Sequence, residues 1–159
     1  MSTAMSMPLV FVGHGNPMNA IEDNDFSRTW AQLGQTLPRP RSVVCISAHW
    51  ETDGTCVTAM ERPATIHDFS GFPPALENMD YPAPGSPELA ERIMNMVKST
   101  RIRPDRSWGL DHGVWSVLCR MYPRADIPVV QVSIDAWAPP SFHYELGREL
   151  KPLREDGVL

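Results

Sequence analysis

The chain has 159 residues, of which 42% are hydrophobic and 21% are charged, as expected for one globular domain with a substantial core. Its formal net charge of −5 argues against nucleic acid or an anionic membrane as the main partner, and no apolar run is long enough to span a bilayer. The three cysteines lack a CxxC spacing and predict reduced thiols in a cytoplasmic protein. We therefore expect a single domain over residues 1–159.

Five short runs rich in apolar and β-branched residues predict strands. Residues 8–12 and 42–48 do not alternate between apolar and polar side chains, which is typical of strands buried on both faces of a parallel sheet. Residues 127–134 form a third such run. Residues 55–60 predict a weaker strand at a sheet edge, and residues 100–103 predict a short fifth strand.

Helical patterns separate these runs. The first follows a cap at Asn24 or Asp25, with Gly34 as a stop, and the second opens at Ser86 before a proline. A third helix covers residues 114–121, and a fourth covers residues 142–153, where an internal proline predicts a kink or restart. Alternating strands and helices predict an α/β three-layer sandwich with a mostly parallel central sheet. In such folds ligands bind at the carboxyl ends of the strands.

Two histidines fall at predicted strand ends. His14 follows residues 8–12 between two glycines, and His49 follows residues 42–48. Taken singly, each is equally well explained as a turn or strand-end histidine with a local hydrogen bond. Together they predict a metal site, because neutral imidazoles at adjacent strand ends can share one divalent ion. A third donor is needed, and the local carboxylates are Glu51, Asp68 and Asp111, although most such acids are solvated surface groups.

His112 directly follows Asp111 at the start of the predicted third helix. Simple helix capping explains this pair slightly better than a catalytic role does, if only the residues are considered. The functional alternative is a histidine beside the metal ligands that donates a hydrogen bond to a substrate or transfers a proton.

A proline-rich segment, residues 61–87, lacks helical or strand periodicity and carries His67 and Phe69. Long irregular segments inside a compact domain are commonly functional loops or lids. A surface role is the default for His67, but its aromatic neighbours favour a position facing substrate, with Phe69 and Trp50 supplying apolar wall. His143, at the start of the last helix, is interpreted as structural.

Seven motifs in order resemble the class III extradiol ring-cleavage dioxygenases, in particular the bacterial branch similar to 4,5-DOPA extradiol dioxygenase. They cover essentially the whole chain and read GHGNPM, SAHWET, TIHDFSGFP, YPAPGSPELA, WGLDHGVWSVL, MYPRADIPVVQVSID and FHYELGRELKPLRE.

This resemblance implies an enzyme that opens the ring of a catechol-type aromatic diol, such as DOPA, with O₂ at a non-haem Fe(II). By the resemblance, His14 and His49 correspond to metal ligands, His112 to an active-site histidine, and His67 to a segment lining the substrate pocket. Zn(II) could occupy the same site, but it has no redox chemistry. A zinc-dependent hydrolase acting through the same histidines is the alternative activity.

The resemblance also places further metal-site residues downstream of Leu159, and among them is a histidine that is a better candidate than His112 for the base that removes a catechol proton. Gly157 predicts the end of the last helix, and the apolar pair that follows it resembles the start of a strand. We therefore expect an N-terminal part of a longer catalytic domain that binds iron weakly and has little activity by itself. Such a chain would either associate through its exposed sheet edge or need its missing part. An inactive fragment that retains part of the metal site is the remaining alternative.

Overall fold

The computed structural model describes residues 6–159. Its central sheet has four strands, which are β1 (Val43–Thr52), β2 (Cys56–Thr58), β3 (Arg103–Asp105) and β4 (Val129–Asp135). Five α-helices surround the sheet, and they are α1 (Asp25–Thr36), α2 (Pro74–Glu77), α3 (Pro87–Met96), α4 (His112–Met121) and α5 (Pro140–Leu150). Two 3₁₀ helices complete the set, at Pro17–Ala20 and Lys151–Asp156. No helix in the described part of the chain is long and apolar enough to cross a membrane.

The strands are arranged in the order β1-β4-β2-β3. β1 runs parallel to β4 and β2 runs parallel to β3, whereas β2 meets β4 in an antiparallel contact between Val57 and Val132. The predicted α/β class with a mostly parallel sheet is therefore confirmed. The edge position predicted for residues 55–60 is wrong, because β3 takes the edge and leaves β2 inside the sheet.

Hydrophobic cores lie on both faces of the sheet. Because successive side chains of a strand point to opposite faces, β4 contributes Val129 to one core and Val130 and Val132 to the other. The first core contains buried residues of α1 and α4, and the second contains those of α3 and α5. The three-layer arrangement follows from this alternation.

The helices begin where their capping residues predict. The side chain of Asn24 accepts a hydrogen bond from the backbone of Ser27 at the start of α1, and Ser86 caps α3 in the same way. Gly34 was predicted to stop α1 but lies inside it. A Cβ at Gly34 would lie 2.1 Å from the carbonyl oxygen of Met121, so this glycine permits close packing of α1 on α4.

Residues 8–12 are the clearest departure from the predicted elements. They form no strand, and Leu9 and Phe11 are 79% and 96% exposed. Apolar composition alone does not make a strand, because a strand needs a neighbour whose backbone groups pair with its own. Two smaller differences are that the strand predicted at 100–103 lies at Arg103–Asp105, and that β1 continues to Thr52.

An apolar groove of about 910 Å³ separates residues 8–12 from β1, and α4 and α5 supply further lining. Within the described residues, β1 is an edge strand whose long partner is β4. At its first residues it also pairs with the segment after Gly157, since Leu159 donates to the carbonyl of Ser42 and accepts from the amide of Val44. The edge of β1 that faces residues 8–12 therefore borders an apolar groove, and among residues 6–159 only the start of the strand forms backbone hydrogen bonds on that edge.

Candidate metal centre

His14 is carried by the irregular segment that follows residues 8–12. The backbone turns at Gly15, whose φ of +61° lies in the left-handed region that glycine adopts without strain. The Asn19 amide then donates to the carbonyl of His14 at 3.1 Å. This turn holds the half-buried imidazole so that its Nε2 lies 2.8 Å from Nε2 of His49.

His49 lies within β1, at an irregularity where the register with β4 shifts between Ile46 and Glu51. The start of α4 packs directly against it. A Cβ at Gly113 would lie 2.7 Å from Cδ2 of His49 and 2.8 Å from Oγ of Ser47. Only glycine leaves room for this approach, which brings the first turn of α4 to the histidine.

Asp111 fixes that first turn of α4. Its carboxylate is fully buried and accepts hydrogen bonds from the backbone of Gly113 at 2.9 Å, from the hydroxyl of Ser47 at 2.7 Å and from the amide of Gln131 at 2.7 Å. The capping interpretation of Asp111 is thus supported, and the cap also joins α4 to β1 and β4. A buried carboxylate with three donors is well compensated for its loss of water.

His112 begins α4 and is held by Asp68 from the proline-rich segment. Oδ1 of Asp68 accepts from the backbone N–H of His112 at 3.0 Å and from Nδ1 of its ring at 2.7 Å. Burial alone would raise the pKa of the Asp68 carboxyl, but the hydrogen bonds from His112 outweigh this effect and the pKa is lowered. Oδ2 of the same carboxylate lies 3.9 Å from Nδ1 of His49.

His14, His49 and His112 form one cluster, in which each offers a ring nitrogen within 4.8 Å of the others. The ring centroids are 4.1–5.0 Å apart. Burial, reinforced by the imidazoles of His112 and His49, lowers the pKa of His14, which favours the neutral form that binds metals. Nδ1 of His14 is buried without a hydrogen-bond partner among residues 6–159. The donor set therefore fits a divalent transition metal.

Aromatic side chains from the proline-rich segment border this cluster. Phe69 meets the ring of His112 edge-on, with centroids 5.5 Å apart, and also contacts the rings of Phe72 and Trp115. His67 donates from Nε2 to the carbonyl of Met79 at 2.8 Å and lies against Phe69 with a centroid distance of 5.7 Å. Phe69 thus adjoins the cluster, and His67 lies one ring farther away.

Trp50 takes a different position from the one expected. Its indole is 3% exposed and stacks on Trp108, with centroids 5.7 Å apart and planes within 3° of parallel. Ser47 and His49 face α4, and the residue after His49 points to the opposite face because side chains alternate along a strand. The structure therefore gives no support to Trp50 as part of the pocket wall.

Two functional contributors were missed by sequence reasoning. Asp68 was considered only as a further metal donor, and its contact with His112 spans 44 residues of sequence, so no local pattern reveals it. Gly113 carries a readable signal, because a glycine in the first turn of a helix lowers helix propensity and suggests close packing. Glu51, also considered as a donor, is exposed and lies outside the cluster.

Comparison with known proteins identifies the fold that carries this cluster. Residues 7–158 match the family model described as the catalytic LigB subunit of aromatic ring-opening dioxygenase. The chain belongs to the LigB family. The resemblance to class III extradiol dioxygenases is thereby confirmed.

Among curated LigB-type relatives, a protein named 4,5-DOPA dioxygenase extradiol from Escherichia coli K12 is 55% identical over 154 residues, which cover 96% of this chain and 57% of the relative. A protein of the same name from Beta vulgaris is 43% identical over 155 residues, covering 94% of this chain and 58% of the relative. The chain thus spans a little more than half the length of these relatives.

A solved structure supports the same assignment. The crystal structure of an uncharacterized Escherichia coli K12 protein superposes with a TM-score of 0.74 at 49% sequence identity, covering 90% of this chain and 54% of that one. The LigB fold described above is therefore shared with an experimentally determined structure.

Proposed function

We propose that this LigB chain acts as a metal-dependent extradiol dioxygenase. It would open the ring of a catechol-type aromatic diol, such as DOPA, with O₂. The observation that carries the proposal is the convergence of three imidazoles at one point of a LigB fold. The names of the relatives support a catechol as substrate, since two of them are 4,5-DOPA dioxygenases.

His14 and His49 are the proposed metal ligands. Their Nε2 atoms face each other at 2.8 Å, and the lowered pKa of His14 keeps that ring in its metal-binding form. Fe(II) is the proposed native ion, because it supplies the one-electron chemistry that lets dioxygen react with an aromatic diol. Zn(II) is a further occupant that fits the same nitrogen donors but is redox-inert.

Among the residues of this chain, His112 is the proposed proton-transfer group. Its Nδ1 is engaged by Asp68, so Nε2 is the ring nitrogen free to accept a proton from a hydroxyl of the diol. The same geometry holds the ring next to Phe69, whose edge-on contact restricts its rotation. A diol bound at the cluster would thus meet a base that is already oriented.

Phe69 and, behind it, His67 are proposed to border the aromatic ring of the substrate. Phe69 contacts His112 directly, and His67 contacts Phe69. A ring surface beside a polar cluster suits a ligand with one flat apolar part and two adjacent oxygens. Trp50 is left out of this proposal because it stacks on Trp108.

Equilibrium metal titration tests the ligand assignment. His14→Ala and His49→Ala should each abolish the weak Fe(II) binding that we expect of the anaerobically prepared chain. His143→Ala is the matched control, because His143 lies on α5, outside the cluster, and should bind as the unaltered chain does. Binding that survives both cluster substitutions would refute the assignment.

An optical assay tests the reaction. After reconstitution with Fe(II), slow ring cleavage of a catechol in air should produce a weak yellow semialdehyde signal, and this signal should vanish in His14→Ala. Iron binding without any ring-opened product from a panel of catechols would contradict the proposed activity.

A zinc-dependent hydrolase is the second candidate, and one observation favours it. Three histidines without a carboxylate form the cluster within the described residues, and a set of three histidines is typical of catalytic zinc, whereas many Fe(II) oxygenases use two histidines and a carboxylate. Hydrolysis of esters or amides by the zinc-loaded chain, with no ring cleavage by the iron-loaded chain, would decide for this candidate.

We further propose that the protein acts in the cytoplasm. Its three cysteines are free, and burial raises the pKa of the Cys119 thiol to about 11, so this thiol stays protonated and unreactive. Fractionation of the source cells with an antibody against the chain would test the location, and recovery in an oxidising compartment would contradict it.

A further inference from the structure

We propose that Asp68 is a positioning residue that fixes both the tautomer and the ring orientation of His112, so that Nε2 is the unprotonated nitrogen of the neutral ring and faces the cluster. The inference deepens the proposed function and rests on the role in proton transfer assigned there to His112. Its central claim, the tautomer, concerns the metal-free protein and is testable without substrate.

The hydrogen bonds to Asp68 determine which ring nitrogen carries the proton. A carboxylate oxygen only accepts, so Nδ1 of His112, 2.7 Å from Oδ1, must donate. In a neutral imidazole the other nitrogen is then an unprotonated acceptor. Without this acceptor, nothing in the contact between α4 and the proline-rich segment would distinguish the two nitrogens of His112.

The same oxygen also fixes the main chain beneath the ring. His112 is the first residue of α4, and the amides of a first helical turn have no partner within their helix. Oδ1 of Asp68 accepts from this amide at 3.0 Å. Backbone and ring are therefore held by one atom, which leaves the side chain little freedom to rotate.

Neighbouring groups make the arrangement specific. Phe69, next in sequence to Asp68, contacts the ring of His112 edge-on with their planes at 85°. The His112 side chain is 9% exposed and that of Asp68 is 21% exposed, so water competes little for this contact. Oδ2 of Asp68 lies 3.9 Å from Nδ1 of His49, and the Nε2 of His49 lies on the His14 side of the ring.

Carboxylates that orient metal-ligating histidines commonly affect activity about 10- to 100-fold, and we expect an effect of similar size for a carboxylate that orients His112. The competing explanation is that Asp68 only stabilises the start of α4. That explanation predicts a loss of stability when Asp68 is replaced but no defined change in the tautomer of His112, and no selective loss of kcat in a folded variant.

The test is ¹⁵N NMR of the metal-free chain labelled at histidine, with the His112 signals assigned by their loss in His112→Gln. In the unaltered chain, at a pH where the His112 ring is neutral, Nδ1 should carry the proton and Nε2 should be unprotonated. Asp68→Ala should shift the population toward the Nε2–H form. Asp80→Ala is the control: this exposed carboxylate of the same segment accepts from Thr65, and its loss should leave the His112 signals unchanged.

Kinetics on the iron-loaded protein supplies the second readout. Asp68→Ala should lower kcat about 10- to 100-fold with KM and iron content nearly unchanged, and Asp68→Asn, which keeps a carbonyl acceptor for Nδ1, should recover much of this loss. If Asp68→Ala does not fold, the tautomer of His112 is compared in the unaltered chain and in Asp68→Asn. Both should show the Nδ1–H form.

Two outcomes overturn the inference. One is an Nε2–H tautomer of the neutral His112 ring in the unaltered chain. The other is an Asp68→Ala protein that retains the Nδ1–H form and normal kcat. Failure of ring cleavage in every variant, with the expected tautomer observed, would refute the proposed function and leave the positioning by Asp68 standing.

Discussion

His112 and His14 reach the same cluster from regions that are held in place in very different ways. The His112 side is braced by two buried or half-buried carboxylates, Asp111 and Asp68, which together accept five hydrogen bonds from α4, β1 and β4. His14 follows a segment without strand pairing in which Phe11 is 96% exposed. Its local support is the hydrogen bond from Asn19.

This difference separates two tasks within one site. The His112 side is preorganised by protein contacts alone, so its geometry should persist without metal. The His14 segment has few buried contacts, a feature of regions that open at low free-energy cost. The ligand position of His14 should therefore depend on what binds at the cluster, and the following substitutions probe the two sides separately.

Removing the imidazole of His112 should have the largest effect on turnover. His112→Ala should lower kcat about 10²- to 10⁴-fold, the usual contribution of a general base, while iron content falls far less than in His14→Ala. Single-turnover absorbance and metal analysis on the same samples make the comparison. If iron content falls as far as kcat does, His112 is a metal ligand and not the base proposed above.

Replacing Asp111 should destabilise the protein at the start of α4. Asp111→Ala should lower the free energy of unfolding by about 3 kcal/mol, since it removes a helix cap and leaves buried donors of Ser47 and Gln131 without acceptors. Urea denaturation measures the change. Asp126→Ala is the matched control, because that exposed carboxylate pairs with Arg39 and should cost less than about 1 kcal/mol.

Gly113→Ala should displace His49 without removing any side-chain donor. The added methyl would meet the His49 ring and the Ser47 hydroxyl, and overpacking of this kind costs about 1–3 kcal/mol. Because the His49 ring would be displaced, the affinity of the cluster for metal should also fall. The control is Gly147→Ala on α5, where a Cβ meets nothing within 4 Å, so stability should rise by up to about 1 kcal/mol. Equal metal affinities in the two variants would contradict the role of Gly113.

The sequence was sufficient for features that depend on local pattern. Caps at Asn24, Ser86 and Asp111 were readable because a polar side chain there bonds to an amide two or three residues away. The two histidines after apolar runs also pointed to one site. In contrast, the partner of His112 lies 44 residues away in a segment without periodicity, and no spacing encodes such a contact.

The predictions that the structure contradicts share a physical cause. Gly34 was interpreted as a helix stop because glycine disfavours helices, but the close approach of Met121 overrides that preference. Residues 8–12 have the composition of a buried strand, yet they pair with no strand in the described chain. In both cases the local structure depends on which other element packs or pairs with the segment, and the composition of the segment does not contain that information.

The smallest expected effect concerns the apolar groove between residues 8–12 and β1. We propose that two copies of the chain associate weakly through this face, because Phe11 and Ile46 expose apolar surface beside an incompletely paired strand edge. Sedimentation velocity across a concentration series should show a reversible dimer, and Ile46→Lys should raise its dissociation constant at least about tenfold, since a charge on an apolar contact opposes burial. Trp137→Lys is the control, because Trp137 is 82% exposed and does not line the groove. A strictly monomeric chain at every concentration, or an equal effect of both substitutions, would show that the groove does not mediate association.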